Sequence, residues 1–235
     1  MNISLIKKTA VALLLATMIT ACNKSEDYSN IPNVVKEQKI ALKLYGKFTS
    51  QQKKQFDKAN QYIEKQDTDS AIKTLTPLAE EGQSDSQNAL AFIYIKQNKV
   101  VEAKQWFEKA AQQNHPEAQN NLGMIYLQGI GVAPDYEKAR QYFEQAATQN
   151  SILAQNNLGM MYMQGIGVET NMARAKDYLT RAAEQGSSLA QYNVAMIYLN
   201  GLGGEPVDKE QAKKYLQMAA KQGDPDAQSQ LNLLK

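Results

Sequence analysis

The chain has 235 residues, a length that allows one or two compact domains or a single array of repeats. Its 26 basic and 24 acidic residues leave a formal net charge of +2, which excludes the basic field that nucleic-acid binding requires. A single Cys excludes an internal disulfide and, with only one His, a conventional zinc site of His and Cys ligands.

The first 21 residues are typical of a secretory signal. Lys7 and Lys8 precede an apolar stretch, residues 9–20, that is too short to span a bilayer as a mature helix. The letters ITAC, residues 19–22, begin at its end and resemble the lipobox of bacterial lipoproteins. That resemblance implies cleavage before Cys22 and acylation of its sulfur and amino group with chains such as palmitate. Several buried acyl chains make a stable membrane anchor.

Residues 22–50 are predicted to hold the lipidated Cys22, a polar tether and a candidate leading helix. Removal of the two signal lysines leaves a net charge of zero, so no polybasic patch for anionic lipid is expected. Asn23 is not the Asp that commonly retains lipoproteins in the inner membrane, which favours the outer membrane, facing the periplasm. Ile40, Leu44 and Phe48 recur every four residues, a spacing that suits a helix over residues 34–48.

From residue 51 onward the sequence repeats itself. The stretches NNLGMIYLQGIGV, from Asn120, and NNLGMMYMQGIGV, from Asn156, differ at two positions only. Each repeat has an apolar-small-x-x-Tyr pattern in its first half and a small-x-x-aromatic-x-x-x-Ala-Ala pattern in its second. One helix pair cannot bury its own apolar face, so neighbours must stack, and small residues such as Gly123 and Gly159 allow close approach. The predicted repeats are residues 51–82, 83–114, 115–150, 151–186 and 187–223, followed by a cap at 224–235 with a helix over Ala227–Leu234.

These patterns resemble the Sel-one-like repeat family, a relative of the tetratricopeptide repeat. The resemblance covers residues 83–223 well and residues 51–82 loosely. It implies an all-α, right-handed α/α solenoid of about five helix-turn-helix repeats, used mostly as a protein-binding scaffold.

Several residues that suggest chemistry have simpler explanations. The GIG motifs at Gly129 and Gly165 follow predicted helices, whereas a phosphate-binding loop needs a preceding strand, so we interpret them as helix ends and turns. His115 precedes Pro116 at a repeat junction, which suits the first turn of a helix. The carboxylates lie among lysines and glutamines on predicted helix faces, as solvated surface residues do. We therefore predict no catalytic residue, no metal site and no cofactor.

One stripe of the first helices lies opposite the predicted core and is still largely apolar. In tetratricopeptide relatives these positions line the concave surface, so the resemblance implies a Met-rich, partner-binding groove edged by amides. The alternative is that tight curvature buries these side chains as ordinary core. The predicted partner-binding residues are Asn88, Phe92, Ile95, Asn120, Met124, Leu127, Gln128, Asn156, Met160, Met163, Gln164, Tyr192, Met196, Leu199 and Asn200.

The predicted function is a membrane-anchored, non-catalytic module of the bacterial envelope that captures a peptide or protein on its concave face. The alternative is a periplasmic inhibitor or immunity protein that neutralises a secreted toxic or lytic enzyme. A hydrolase acting on cell wall or β-lactams is less favoured. The cysteine pairs of the relatives described with β-lactam activity are absent, and no catalytic constellation is evident.

Overall fold

The computed structural model describes residues 45–204 and 206–234. The predicted signal, Cys22, the polar tether and most of the candidate leading helix lie outside these residues. Within them the regular structure is helical and contains no strand, which confirms the predicted all-α, solenoid-type architecture. The described residues form eleven α-helices: α1 (Ser50–Glu64), α2 (Thr68–Glu80), α3 (Ser84–Lys96), α4 (Val100–Gln112), α5 (Pro116–Gln128), α6 (Tyr136–Thr148), α7 (Ile152–Gln164), α8 (Met172–Glu184), α9 (Ser188–Asn200), α10 (Lys209–Lys221) and α11 (Pro225–Leu233).

The chain divides into two compact units, one ending at Pro134 and the other beginning at Asp135. In the first unit, α1 to α5 pack in succession, each helix against the next along the chain. Its core contains Phe56 and Leu75 from the first repeat and Leu90 from the second, all nearly inaccessible to solvent. Burial of such side chains contributes about 1.5–3 kcal/mol each, which compensates for the weak propensity of single helix pairs.

The segment just before α1 differs from the prediction. Residues 45–49 are not helical, so the candidate leading helix does not extend through Phe48. The backbone N–H groups of Tyr45 and Gly46 bond to the carboxylate of Asp85. Thr49 then begins α1 by accepting a hydrogen bond from the Gln52 N–H, in a capping box. The four-residue apolar spacing is therefore wrong for the last residues of the predicted helix, because tertiary contacts bind the backbone N–H groups of Tyr45 and Gly46 there.

In the second unit, α6 to α11 also pack in succession. A short 3₁₀ turn, Leu202–Gly204, follows α9. The second helices begin at short polar side chains that accept a backbone N–H, as Asp135, Asn171 and Asp208 do. The last helix begins at Pro225, inside the predicted cap and two residues before the predicted start of its helix at Ala227.

Glycines act at close contacts and at helix ends, as predicted. Gly159 lies inside α7, and a Cβ placed there would come within 2.5 Å of Leu179 Cγ on α8. Gly165 ends α7 in the left-handed region at φ 71°, which glycine adopts without steric cost. A Cβ on Gly167 would lie 2.2 Å from Tyr136 Cβ. The second GIG motif is therefore a helix end that packs against α6, and its glycines are explained without a phosphate.

No helix in the described part of the chain combines the length and apolar character needed to cross a membrane.

Candidate partner-binding surface

The candidate surface comprises the fifteen residues predicted above, on the outward stripes of α3 and α5 in the first unit and of α7 and α9 in the second. Each of these helices buries its opposite stripe, for example Leu122 and Ile125 on α5. The Phe, Met, Leu and Ile side chains of the candidate surface are all partly exposed. None of them is fully buried, which is the condition that would have refuted the groove interpretation.

In the first unit, the surface contains a small apolar cleft between α3 and α5. Phe107, Ile125 and Ile130 are buried behind it, whereas Phe92, Ile95 and Met124 are partly exposed and form its mouth. Its volume is about 20 Å³, room for about one water molecule. At its edge, Asn121 Nδ2 lies 3.5 Å from Asn88 Oδ1. The cleft is a shallow, almost entirely apolar depression with an amide rim.

In the second unit, the corresponding residues are shared between surface and core. Met160 is partly exposed, and its sulfur lies 3.5 Å from Asn193 Nδ2 of the next repeat. Met163 packs against a core cluster that includes Leu179 and Val194. Tyr192 packs against a second cluster, near the end of the chain. The outward positions that belong to neither cluster are Met160, Gln164, Met196, Leu199 and Asn200.

Two predicted contact residues are corrected by the structure. Asn120 and Asn156 are only 2% and 5% exposed, so they are not available to a partner. Asn156 Nδ2 instead donates a 2.9 Å hydrogen bond to Ser187 Oγ, in the next repeat. Their position on the helix predicted exposure, but both amides are buried.

The candidate surface is electrically neutral across both units, since none of its residues carries a formal charge. At its border in the first unit, Lys96 Nζ lies 4.9 Å from the centre of the Phe92 ring. Burial, and then the carboxylates of Asp226 and Asp224, raise the pKa of Tyr192, which keeps its hydroxyl neutral. Apart from Lys96 at the border, a charge that a partner buried here would find no counter-charge, so the surface favours apolar and amide-bearing groups.

Sequence reasoning missed a series of buried glutamines in the first turn of the first helices. Three of them donate to a carbonyl at the end of the preceding repeat: Gln87 Nε2 to Ala79 O at 2.9 Å, Gln119 Nε2 to Ala111 O at 3.4 Å and Gln191 Nε2 to Ala183 O at 3.0 Å. Helix ends leave such carbonyls without intrahelical partners. A second glutamine then donates to the first, as Gln222 Nε2 does to Gln191 Oε1 at 2.8 Å. The recurrent Ala-Gln or Ser-Gln pair was the available sequence signal.

The side chains that were candidates for a catalytic or metal site have structural roles. His115 is buried, and its Nδ1 accepts the Ala118 N–H at the start of α5, where Pro116 occupies the first helical turn. Within the described residues, no group of three or more His, Cys, Asp or Glu side chains is arranged to hold a metal ion. Arg140 pairs with Glu137 and Glu144 along the surface of α6, as expected of solvated helix charges.

Comparison with protein families gives one match. The family model of the Sel1 repeat matches residues 84–115, 116–151, 152–187 and 188–224, more than half of the chain. These segments begin one residue later than the four corresponding predicted repeats. No curated protein sequence matches the chain.

Two solved structures are similar in both sequence and fold. A Sel1 repeat protein from Oxalobacter formigenes is 32% identical, with a TM-score of 0.64, over 70% of this chain and 49% of its own. The protective antigen c5321 of uropathogenic Escherichia coli, which displays an SLR fold, is 29% identical, with a TM-score of 0.69, over 78% of this chain and 41% of its own. The chain thus spans less than half of the length of each.

A third structure shares the fold alone. The immunity protein PA5088 from Pseudomonas aeruginosa is 20% identical, with a TM-score of 0.53, over 77% of this chain and 68% of its own.

Proposed function

The chain belongs to the Sel1 repeat family, and from that premise we propose that it is a non-catalytic module that binds a peptide or protein on its candidate surface. Proteins built from Sel1 repeats mediate protein–protein interactions, and no catalytic family is indicated for this chain. The fold alone does not specify a partner, so the proposal depends on the surface itself.

One observation carries the proposal. Phe92, Met124, Met160, Met196 and Leu199 are apolar and repeat on one stripe of the first helices, yet they are only partly buried. A solvated stripe would be expected to be polar, because an amphipathic helix that meets only water on one face places polar residues there. Unbranched, polarisable Met side chains suit an adaptable binding surface.

We further propose that the module is held at an envelope membrane by lipid attached to Cys22, and that this membrane is the outer membrane, with the repeats facing the periplasm. The support is the lipobox resemblance of the letters ITAC and the absence of an acidic residue directly after Cys22. The polar residues that follow would separate the anchor from the repeats.

The partner has two candidate classes. A resident envelope machine would make the protein an assembly or regulatory module. A secreted toxic or lytic enzyme would make it an inhibitor, and the shared fold of the Pseudomonas aeruginosa immunity protein is the observation behind this second candidate. Because a shared fold does not identify a partner, the experiment below has to distinguish the two classes of partner.

The test is crosslinking in the native envelope with the full chain carrying an affinity tag at its carboxyl end, followed by mass spectrometry. Crosslinkers placed at Met124 and at Met196 should recover the same partner. A crosslinker at Gln217, an exposed position on α10, provides the matched control and should not recover it. Recovery of the partner only from Gln217 would contradict the proposed surface.

A further inference from the structure

The segment before α1 makes two hydrogen bonds to one buried carboxylate. The Tyr45 N–H donates to Asp85 Oδ1 at 3.0 Å, and the Gly46 N–H donates to Asp85 Oδ2 at 2.6 Å. Asp85 lies in the first turn of α3 and is 5% exposed. Burial alone would raise its pKa, but the His115 ring and these two N–H groups outweigh burial and lower the pKa of Asp85.

The same segment also contacts the amino-terminal end of α5. The Tyr45 ring centre lies 4.9 Å from that of His115, the residue that caps α5. His115 Nε2 lies 3.6 Å from Asp85 Oδ1, on the other side of the ring from the cap. Burial, and then the carboxylate of Glu117, raise the pKa of Tyr45, which is consistent with a neutral hydroxyl that faces Glu117.

The segment then returns to α1. The Lys47 carbonyl accepts a 3.0 Å hydrogen bond from Gln83 Nε2, at the start of α3. Gln83 Nε2 also donates to Gln52 Oε1 at 3.2 Å, and Gln52 completes the capping box with Thr49. Residues 45–49 therefore pass over the amino-terminal ends of α5, α3 and α1 in that order.

The close approach depends on glycine at position 46. A Cβ placed there would lie 2.8 Å from Asp85 Oδ2 and 3.1 Å from Gln83 Oε1. The backbone reaches the carboxylate because position 46 has no side chain. Asp85 is charged and nearly inaccessible, so its two accepted hydrogen bonds are of the charge-assisted, stronger kind.

We propose that residues 45–49 form a strap that ties the amino-terminal ends of α1, α3 and α5 together and fixes the spacing of the first three repeats. Arrays of helical repeats depend on interfaces between neighbours, so a segment that crosses two interfaces restrains both. The strap acts within the first unit and does not depend on the identity or existence of a partner.

The test is hydrogen exchange of the full chain, comparing the wild type with D85N and with G46A. D85N replaces one acceptor oxygen of the carboxylate and removes its charge. G46A adds a methyl group that keeps the backbone at position 46 away from the Asp85 carboxylate. D69N, which removes an exposed carboxylate from the first turn of α2, is the matched control. Both strap variants should release the Tyr45 and Gly46 amides and raise exchange in α3 and α5 by about tenfold or more, with the second unit unchanged.

Two results would overturn the strap. One is that the Tyr45 and Gly46 amides exchange at unprotected rates in the wild type. The other is that they are released in the variants while α3 and α5 keep their wild-type exchange, because the segment would then be a passive tail. If D85N does not fold, Y45A removes the ring contact with His115 and keeps Asp85 and both backbone N–H groups. Raised exchange in α5 of Y45A would then support the strap, and wild-type exchange in α5 would overturn it.

Discussion

At the residue scale, Asp85 shows how one buried carboxylate becomes part of the fold. Its pKa is lowered in the folded state because His115 and two backbone N–H groups favour the charged form more than burial disfavours it. A group whose folded pKa is depressed contributes stability above its unfolded pKa, about 3.9 for Asp. That stability is lost as the pH falls through the lower, folded pKa.

We therefore predict a specific acid dependence for D85N. Urea unfolding from pH 7 down to pH 3 should show a wild type that is more stable near neutrality, with the difference from D85N shrinking below about pH 4. The exposed control D69N should follow the wild-type curve. A difference between wild type and D85N that stays constant over this range would mean that the ionised Asp85 is not what stabilises the contact.

Replacing Gly159 by Ala tests whether α7 and α8 require their close approach, because helix propensity alone would raise the stability and a steric clash would lower it. Gly to Ala in an exposed helix stabilises by about 1 kcal/mol, because glycine has the greater conformational freedom to lose. In G159A the new methyl would meet Leu179 Cγ at 2.5 Å, so α7 and α8 would have to move apart. We expect a net loss of about 1–2 kcal/mol in the free energy of unfolding, measured by denaturant titration. A stabilised variant would show that the two helices do not require this close approach.

At the element scale, the repeats are joined by hydrogen bonds from side chains as well as by apolar packing. Gln191 is 2% exposed, donates to the Ala183 carbonyl at the end of α8, and accepts from Gln222 after α10. One side chain thus connects three consecutive helical elements of the second unit. Buried polar groups of this kind stabilise only while every partner is satisfied.

Replacing Gln191 tests this connection. Q191M keeps an unbranched side chain of similar length but removes the acceptor of the Gln222 amide and one of the donors to the Ala183 carbonyl, which still accepts from the Gly186 N–H. The expected loss in the free energy of unfolding is about 1–3 kcal/mol. Q217M, on the exposed face of α10, makes the same chemical change away from the interface and should change stability by less than about 0.5 kcal/mol. Equal effects of the two substitutions would contradict the interface role of Gln191.

The elements also show what the sequence could and could not predict. The repeat period and the Ala-Ala and Tyr positions predicted the helix pairs, because each repeat must match its neighbour. The glycine contacts followed from the same argument. The extended segment at Tyr45 and Gly46 was missed because its hydrogen bonds go to Asp85, about forty residues away in the sequence. The burial of Asn120 and Asn156 was missed because position on one helix does not reveal which side chains tertiary packing covers.

At the scale of the whole molecule, the proposed anchor makes a prediction of its own. C22A should move the protein from the membrane fraction to the soluble periplasmic fraction, because the acyl chains that hold it would no longer be attached. S25A, three residues further along the polar tether, should leave the distribution unchanged. Membrane association that survives C22A would show that lipid on Cys22 is not what holds the protein at the membrane. The repeat fold and the proposed binding surface do not depend on that result.

The central claim is that the partly exposed Met and Leu stripe binds a partner. Its most direct test measures the dissociation constant of the crosslinked partner for the wild type and for the triple variant M124E, M160E and M196E. The control is Q105E, Q141E and Q217E, which places three carboxylates at exposed positions of second helices. We predict that the stripe variant, still folded by circular dichroism, binds at least about a hundredfold more weakly, since buried charges without partners are costly, and that the control binds as the wild type does. Undiminished binding by the folded stripe variant would contradict the claim.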